Sequence, residues 1–509
     1  MSKLLLIGID SLDPKLLMRF SADLPNLSWL RRVSPEVRMR SIFPVDSIPA
    51  WISIYTGVTP AKHGLLYSFD VFDTSWKSIL GAGSDTFRDR TLWDYAGKAG
   101  KRVCVLFPMM TFPPWPVNGI MVGRAVKERA LPGRPAWMVE RELRTYPPEV
   151  AEQCDLPPFL PGLAGKPPGF KKLGDFAEYA QECTYRDAQL ALKMSQRYEW
   201  DIFFFMLWWA DILQHFFWRY FDETDPTYPG PTPYKDVILE HYRLLDRIVG
   251  EFLSAHPGVR TVVLSDHGHG IRPPKTVNIN EVLRRKGLLV TRGKASNPVP
   301  AVMERSKRVL LDITHRLELD YWLVKLAKTR VFSRWSKDIY MSTANIDMER
   351  TLAYLSSFAG PKSYAHGGIE VKKENLGDIE YNELLDSIIS DLSELRHPDT
   401  GEKLVDWICR REELYHGPLL NLYPDIVFEL KEGYGVNWSL HTPLIGTAYE
   451  HNLSSGGHKK DAVFLVSKSD DVECLRQDAT LMDVAPTVLE LLGVRGDFEF
   501  DGKSIFRKL

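Results

Sequence analysis

Residues 261–270 read TVVLSDHGHG: an apolar run without alternation, then Asp266 and His267, then a glycine-rich turn. A run that is apolar on both faces fits a strand buried inside a mostly parallel sheet with helices above and below. The same signature recurs along the chain. LLLIGI at 4–9 stops at Asp10, IFFFMLWWA at 202–210 stops at Asp211, and AVFLVS at 462–467 follows SSGGH, which ends on His458. Between these runs lie helical patterns at 91–100, 177–198, 234–256, 379–395 and 482–493. The alternation predicts an α/β chain: one large, mostly parallel central sheet with helices on both faces. Ligands of such sheets bind beyond the carboxyl ends of the strands, where Asp10, Asp211 and Asp266 all fall.

The composition agrees with a large globular chain. Of 509 residues, 44% are hydrophobic and 26% charged, which excludes disordered, collagenous and coiled-coil classes. Basic and acidic residues nearly cancel, 64 against 66, so no stable nucleic-acid partner is expected. Five cysteines, Cys104, Cys154, Cys183, Cys409 and Cys474, lie far apart without CxxC spacing, against a disulfide framework or a thiolate metal site. The first apolar run is too short for a signal peptide and the longest too short to span a bilayer, so the expected compartment is the cytoplasm.

Two stretches interrupt the alternation of what reads as a single 1–509 domain. Residues 107–170 are Pro-rich and read as extended loops over a surface. Residues 285–350 read as a basic helical insertion acting as a cap. Within it, 301–339 carries nine Lys/Arg against five Asp/Glu, and Leu310, Ile313, Leu317, Tyr321 and Val324 form one apolar helical stripe. That stripe suits a helix packed on the body or capping a cleft; the sharper reading is a peripheral contact with a membrane surface.

Single polar residues at strand ends are often helix caps, but here they form a set. Asp211 and His215 are four apart, so a helix starting there turns both the same way. Asp266 and His267 are adjacent on their turn, Asp10 adds a carboxylate, and His458 sits in a loop able to swing inward. Carboxylates and imidazoles without thiolates suit Zn²⁺ or Mn²⁺. Ser47, in SIFPVDSIPAWISIYTGVTPAKHG at 41–64, precedes a helix start marked by Pro49 and expected to end at Gly64. It is either a cap or a nucleophile favoured by the helix dipole. His63, His269 and His366 read as loop or substrate-side residues, and Asp13 and Asp46 as capping or solvated ones.

The set IGID (7–10), FPVDSIPAWISIYTG (43–57), ADILQH (210–215), LSDHG (264–268) and SGGH (455–458) resembles the alkaline phosphatase superfamily, in particular its type I phosphodiesterase/nucleotide pyrophosphatase branch. The tail LMDVAPTVLELLGV (481–494) and FDGKSI (500–505) extends the resemblance over nearly the whole chain. It implies an alkaline-phosphatase-like fold and two divalent metal ions, Zn²⁺ or Mn²⁺. One ion would be held by Asp211, His215 and His458, the other by Asp10, Asp266, His267 and Ser47. It also implies hydrolysis of a small phosphate ester, a nucleotide among the candidates, through a covalent phosphoserine at Ser47. Ser68 stands near the place where nucleotide-binding members carry Asn and is the candidate substrate contact. Trp51 occupies the position where a sulfatase requires Arg, which disfavours that branch. A phosphomonoesterase or phosphomutase is the alternative on the same core, and a non-catalytic binding protein is the alternative from another class.

Overall fold

The computed structural model describes residues 3–66, 86–126, 141–153, 173–292, 346–356, 358, 364–452, 454–467 and 471–509, with 302, 306, 309, 310, 313 and 317. Its centre is a seven-stranded sheet. The strands are β1 (Leu4–Ile9), β2 (Val103–Leu106), β3 (Gly119–Val126), β4 (Arg141–Tyr146), β5 (Ile202–Leu207), β6 (Arg260–Leu264) and β7 (Phe464–Val466). Their spatial order is β7-β6-β1-β5-β2-β3-β4. The five inner strands are parallel, and the edge strands β7 and β4 are antiparallel to their neighbours.

The unbroken apolar runs are explained by this arrangement. Leu5, Ile7, Ile9, Phe203, Phe205 and Leu207 point into one core, with the helices Leu173–Arg197 and Val237–Ala255. Their neighbours Leu4, Leu6, Ile202, Phe204 and Met206 point into the other, with the helices Leu92–Lys98 and Val484–Leu492. Each fully buried Phe or Leu here contributes roughly 1.5–3 kcal/mol of transfer free energy, so polar residues appear only where the strands end.

The expected helices are all present within a few residues of their predicted ends; the fourth expected helix, Asp378–Ser393, packs on a second sheet. This smaller sheet is antiparallel, in the order Ala353–Leu355, His366–Val371, Ile426–Leu430, Val405–Arg410. One face takes the helix through Leu385, Ile388 and Leu392. Beside Val427, Trp407 and Cys409 it meets Phe43 and Ala61, which flank the segment of Ser47.

Three expectations need correction. The stretch 107–170 is not simply surface loop: 119–126 and 141–146 form an edge hairpin of the central sheet, with Met121 and Val122 fully buried. Residues 127–140 and 154–172 lie outside the described set. The helix of Ser47, α1 (Ser47–Thr56), ends at Gly57, not Gly64. Gly57 has φ +70°, the left-handed conformation that closes a helix, and Gly64 closes a separate turn, Pro60–His63. The apolar stripe of 301–339 is exposed at its described positions Leu310, Ile313 and Leu317, not packed on the body. Tyr321 and Val324 lie outside the described residues.

Candidate active site

Asp10, Asp211 and Asp266 follow β1, β5 and β6, three neighbouring strands at the middle of the sheet. Asp10 continues the ladder, its N–H donating to the Leu207 carbonyl at 2.9 Å. The next residue, Ser11, has φ +63°, a conformation that side-chain-bearing residues adopt at a cost. There its N–H donates to Asp266 Oδ1 at 3.0 Å. Asp211 and His215 sit on consecutive turns of α2 (Trp209–Phe221). Ser47 is the first residue of α1. The cap itself is Asp46, which accepts from the Ile48 N–H at 3.4 Å, so the Ser47 hydroxyl is left for the site.

His458 is not on a swinging loop. It lies in the strand Gly456–Lys459, paired antiparallel with Gly268–Ile271 so that His458 faces His269 in register. The glycine run allows this approach: a Cβ on Gly456 would lie 2.2 Å from the Gln214 carbonyl oxygen and 2.5 Å from His269 Nε2.

Two clusters result, Asp211–His215–His458 and Asp10–Asp266–His267, each with ligand atoms within 4.8 Å of one another. In the first, Asp211 Oδ1 is 3.3 Å from His215 Nε2 and 3.3 Å from His458 Nε2. In the second, His267 Nε2 is 3.2 Å from Asp266 Oδ2 and 3.8 Å from Asp10 Oδ1. The rings of His267 and His458 stack at 4.0 Å and join the clusters. The Ser47 hydroxyl donates to Asp10 Oδ1 at 3.3 Å and lies 3.1 Å from His267 Nε2. All seven residues expected from the sequence are therefore brought together, while Ser68 lies outside the described residues.

The donor set fits divalent cations. The Nδ1 atoms of His215, His267 and His458 face the carbonyl oxygens of Gly456, Gly268 and Val45 at 2.8, 3.0 and 3.0 Å. A carbonyl only accepts, so Nδ1 carries the hydrogen, and a ring in its neutral form presents the Nε2 lone pair to its cluster. The Nε2 atoms of His215 and His458 face each other at 3.0 Å, which is repulsive unless positive charge lies between them. Asp211 Oδ1 and Asp266 Oδ2 are buried without a hydrogen-bond donor.

The electrostatics point the same way. Burial, then the charges of Asp266 and Asp211, push the Asp10 carboxyl well above the usual carboxylate range. Burial pushes Asp266 up to about 7. Burial works against the charged form of His458, yet Tyr364 and Asp211 raise it to about 10. Three crowded carboxylates and an imidazole that gains a proton describe a place that wants positive charge.

Other residues were missed or misread from the sequence. His269, expected as a loop or substrate-side residue, places Nδ1 3.5 Å from Asp211 Oδ1 and 2.8 Å from Ser11 Oγ. A strand beginning at Gly268 was the signal that could have brought it in, through pairing with the His458 strand. Arg272 donates to the Gly456 carbonyl at 3.2 Å and to Ser454 Oγ at 3.0 Å, behind His215. No local pattern marks it. His63 is structural, buried between Ser53 Oγ and the Leu65 N–H. His366 stacks on Tyr364, whose ring lies 5.4 Å from that of His458, so it stands beside the site.

Residues 4–451 match the sequence profile of the family described as type I phosphodiesterase / nucleotide pyrophosphatase. The chain belongs to the type I phosphodiesterase/nucleotide pyrophosphatase family. Among solved structures, a phosphonoacetate hydrolase from Sinorhizobium meliloti 1021, in complex with phosphonoformate, shares the fold. It is 13% identical, with 97% of this chain and 95% of that chain covered and a TM-score of 0.50. No curated protein sequence matches. This phosphodiesterase-family member is thus an alkaline-phosphatase-like hydrolase. The family match stops at residue 451, yet the fold carries His458 back to Asp211.

Proposed function

We propose that the protein hydrolyses phosphodiester or pyrophosphate bonds of a small phosphate ester through a covalent phosphoserine at Ser47. The observation that carries this reading is the placement of the Ser47 hydroxyl against one cluster, with the second cluster stacked beside it through His267 and His458. Asp211, His215 and His458 would hold one divalent ion, Zn²⁺ or Mn²⁺, and Asp10, Asp266, His267 and Ser47 the other. Such ions supply Lewis acidity that neutralises charge on phosphoryl oxygens.

The chain's own part is orientation. The α1 dipole favours negative charge on Ser47 Oγ as it attacks phosphorus in line. The Ser47–phosphorus bond forms as the bond to the leaving oxygen breaks, and water then cleaves the phosphoserine and restores the hydroxyl. Asp10 Oδ1 accepts the serine proton's hydrogen bond at the outset. A diester monoanion needs less additional positive charge than a monoester dianion. Segment 43–57 contains no Arg, and the Arg272 guanidinium is engaged by Gly456 and Ser454, which favours diesters.

Ser47→Ala is the direct test. With Zn²⁺ or Mn²⁺ supplied, turnover of bis-p-nitrophenyl phosphate should fall by roughly 10³-fold or more, while the melting temperature stays within a degree or two. Wild-type turnover in the variant would remove Ser47 from the reaction. Faster hydrolysis of p-nitrophenyl phosphate than of the diester would move the protein to the monoesterases.

A further inference from the structure

We propose that Trp208, Met109 and Met110 form an apolar wall beside Ser47 that selects diesters keeping an aryl group on phosphorus. The inference rests on the phosphodiesterase reading above and names its substrate class. Trp208 is the first residue beyond β5 and Phe107 the first beyond β2, so both leave the sheet at its carboxyl edge. Because β5 pairs in parallel with β1, Ile9 opposite Leu207, Trp208 follows beside Asp10 at one strand spacing, about 5 Å. Asp10 meets the Ser47 hydroxyl on the face of the sheet that α1 covers, and Trp208, Met109 and Met110 pack against that same core. The turn after β2 is closed by Thr111 Oγ1, which donates to the Pro108 carbonyl at 2.8 Å. Trp208 Nε1 donates to the Phe107 carbonyl at 3.0 Å, and the Met109 N–H donates to Tyr55 Oη of α1 at 3.1 Å. Indole, turn and nucleophile helix are thus held together.

The wall's chemistry selects its occupant. Phe107 and Met110 hold φ of +62° and +61°, a region that bulky side chains enter at a cost, and such outliers gather where a site is being shaped. Trp208, Met109 and Met110 are half-buried. The polar atoms among them are engaged locally: Trp208 Nε1 and Thr111 Oγ1 by carbonyls, and Tyr55 Oη by Met109 and by Met206 Sδ at 3.6 Å. What the wall offers is an indole and two adaptable thioethers, which suit a flat apolar group better than a hydroxyl-rich sugar. In-line displacement puts the leaving oxygen opposite Ser47 Oγ and the retained ester oxygen beside the line of attack. Trp208, next to Asp10, lies on the side where that retained group must sit.

Phenyl p-nitrophenyl phosphate and methyl p-nitrophenyl phosphate release the same p-nitrophenolate and differ only in the group they keep. With Zn²⁺ or Mn²⁺ supplied, the wild type should favour the phenyl ester by about tenfold or more in kcat/KM. Trp208→Ala should lower that phenyl-to-methyl ratio at least about fivefold, and Trp208→Phe should keep most of it. A Trp208 that only supports the fold would lower both esters alike, so an unchanged ratio overturns the proposal, as does a wild-type ratio near one. Should Trp208→Ala fail to fold, Met110→Ala decides: its ratio should fall by about twofold or more, and a ratio equal to wild type overturns the wall. Wild-type protein that cleaves neither diester but cleaves p-nitrophenyl phosphate overturns the phosphodiesterase reading itself, and the wall with it.

Discussion

Ser47 has neighbours that a capping serine does not need. The capping is done by Asp46, and the Ser47 hydroxyl faces Asp10 and His267 instead. His458 is the corresponding case among the imidazoles: its Nδ1 is tied to the Val45 carbonyl, two residues before Ser47, and its Nε2 is aimed at Asp211. His458→Ala removes one of three donors from a single cluster and leaves the other cluster intact. Metal analysis of the purified variant should show a fall from about two ions per chain to about one. An unaltered metal content would mean that His458 holds none. At this scale the sequence was informative wherever a polar residue broke an apolar run. It was silent about Arg272, whose place behind His215 comes from a strand turning back toward Gly456.

Two short elements set the geometry of the site. The strand Gly456–Lys459 delivers His458, and Gly456 is there because the Gln214 carbonyl and the His269 ring leave no space for a side chain. Gly456→Ala must push the strand outward. A displacement of about 1 Å at a reacting centre costs on the order of 10² in rate, so kcat/KM should drop by about that much while the protein still folds. Activity within twofold of wild type would show that this strand does not hold the site's geometry. The loop before α1 is held from the smaller sheet's side: Tyr415 Oη accepts from the Phe43 N–H at 2.9 Å, and Tyr423 Oη donates to the Phe43 carbonyl at 3.3 Å. No spacing within residues 41–64 announces these partners, since they arrive from residues far along the chain.

For the whole molecule, the site acts as a junction. Its candidate ligands come from the ends of β1 and β6, from α1 and α2, and from the strand Gly456–Lys459, so bound cations would tie distant parts of the chain together. Chelation should leave Asp10, Asp211 and Asp266 crowded without compensation. The melting temperature should fall by several degrees with EDTA and recover on adding Zn²⁺ or Mn²⁺, as ligand binding to the folded state requires. A melting curve indifferent to both would argue against resident metal.

The sequence by itself determined the α/β class and the candidate set, because burial on both faces of a strand and a polar residue at its end are written locally. Only the tertiary structure decided the order of the strands, the entry of 119–126 into the central sheet, the pairing that fixes His458, and the recruitment of His269. Each of these depends on which distant segments lie side by side, and hydrophobic periodicity carries no information about a neighbour hundreds of residues away.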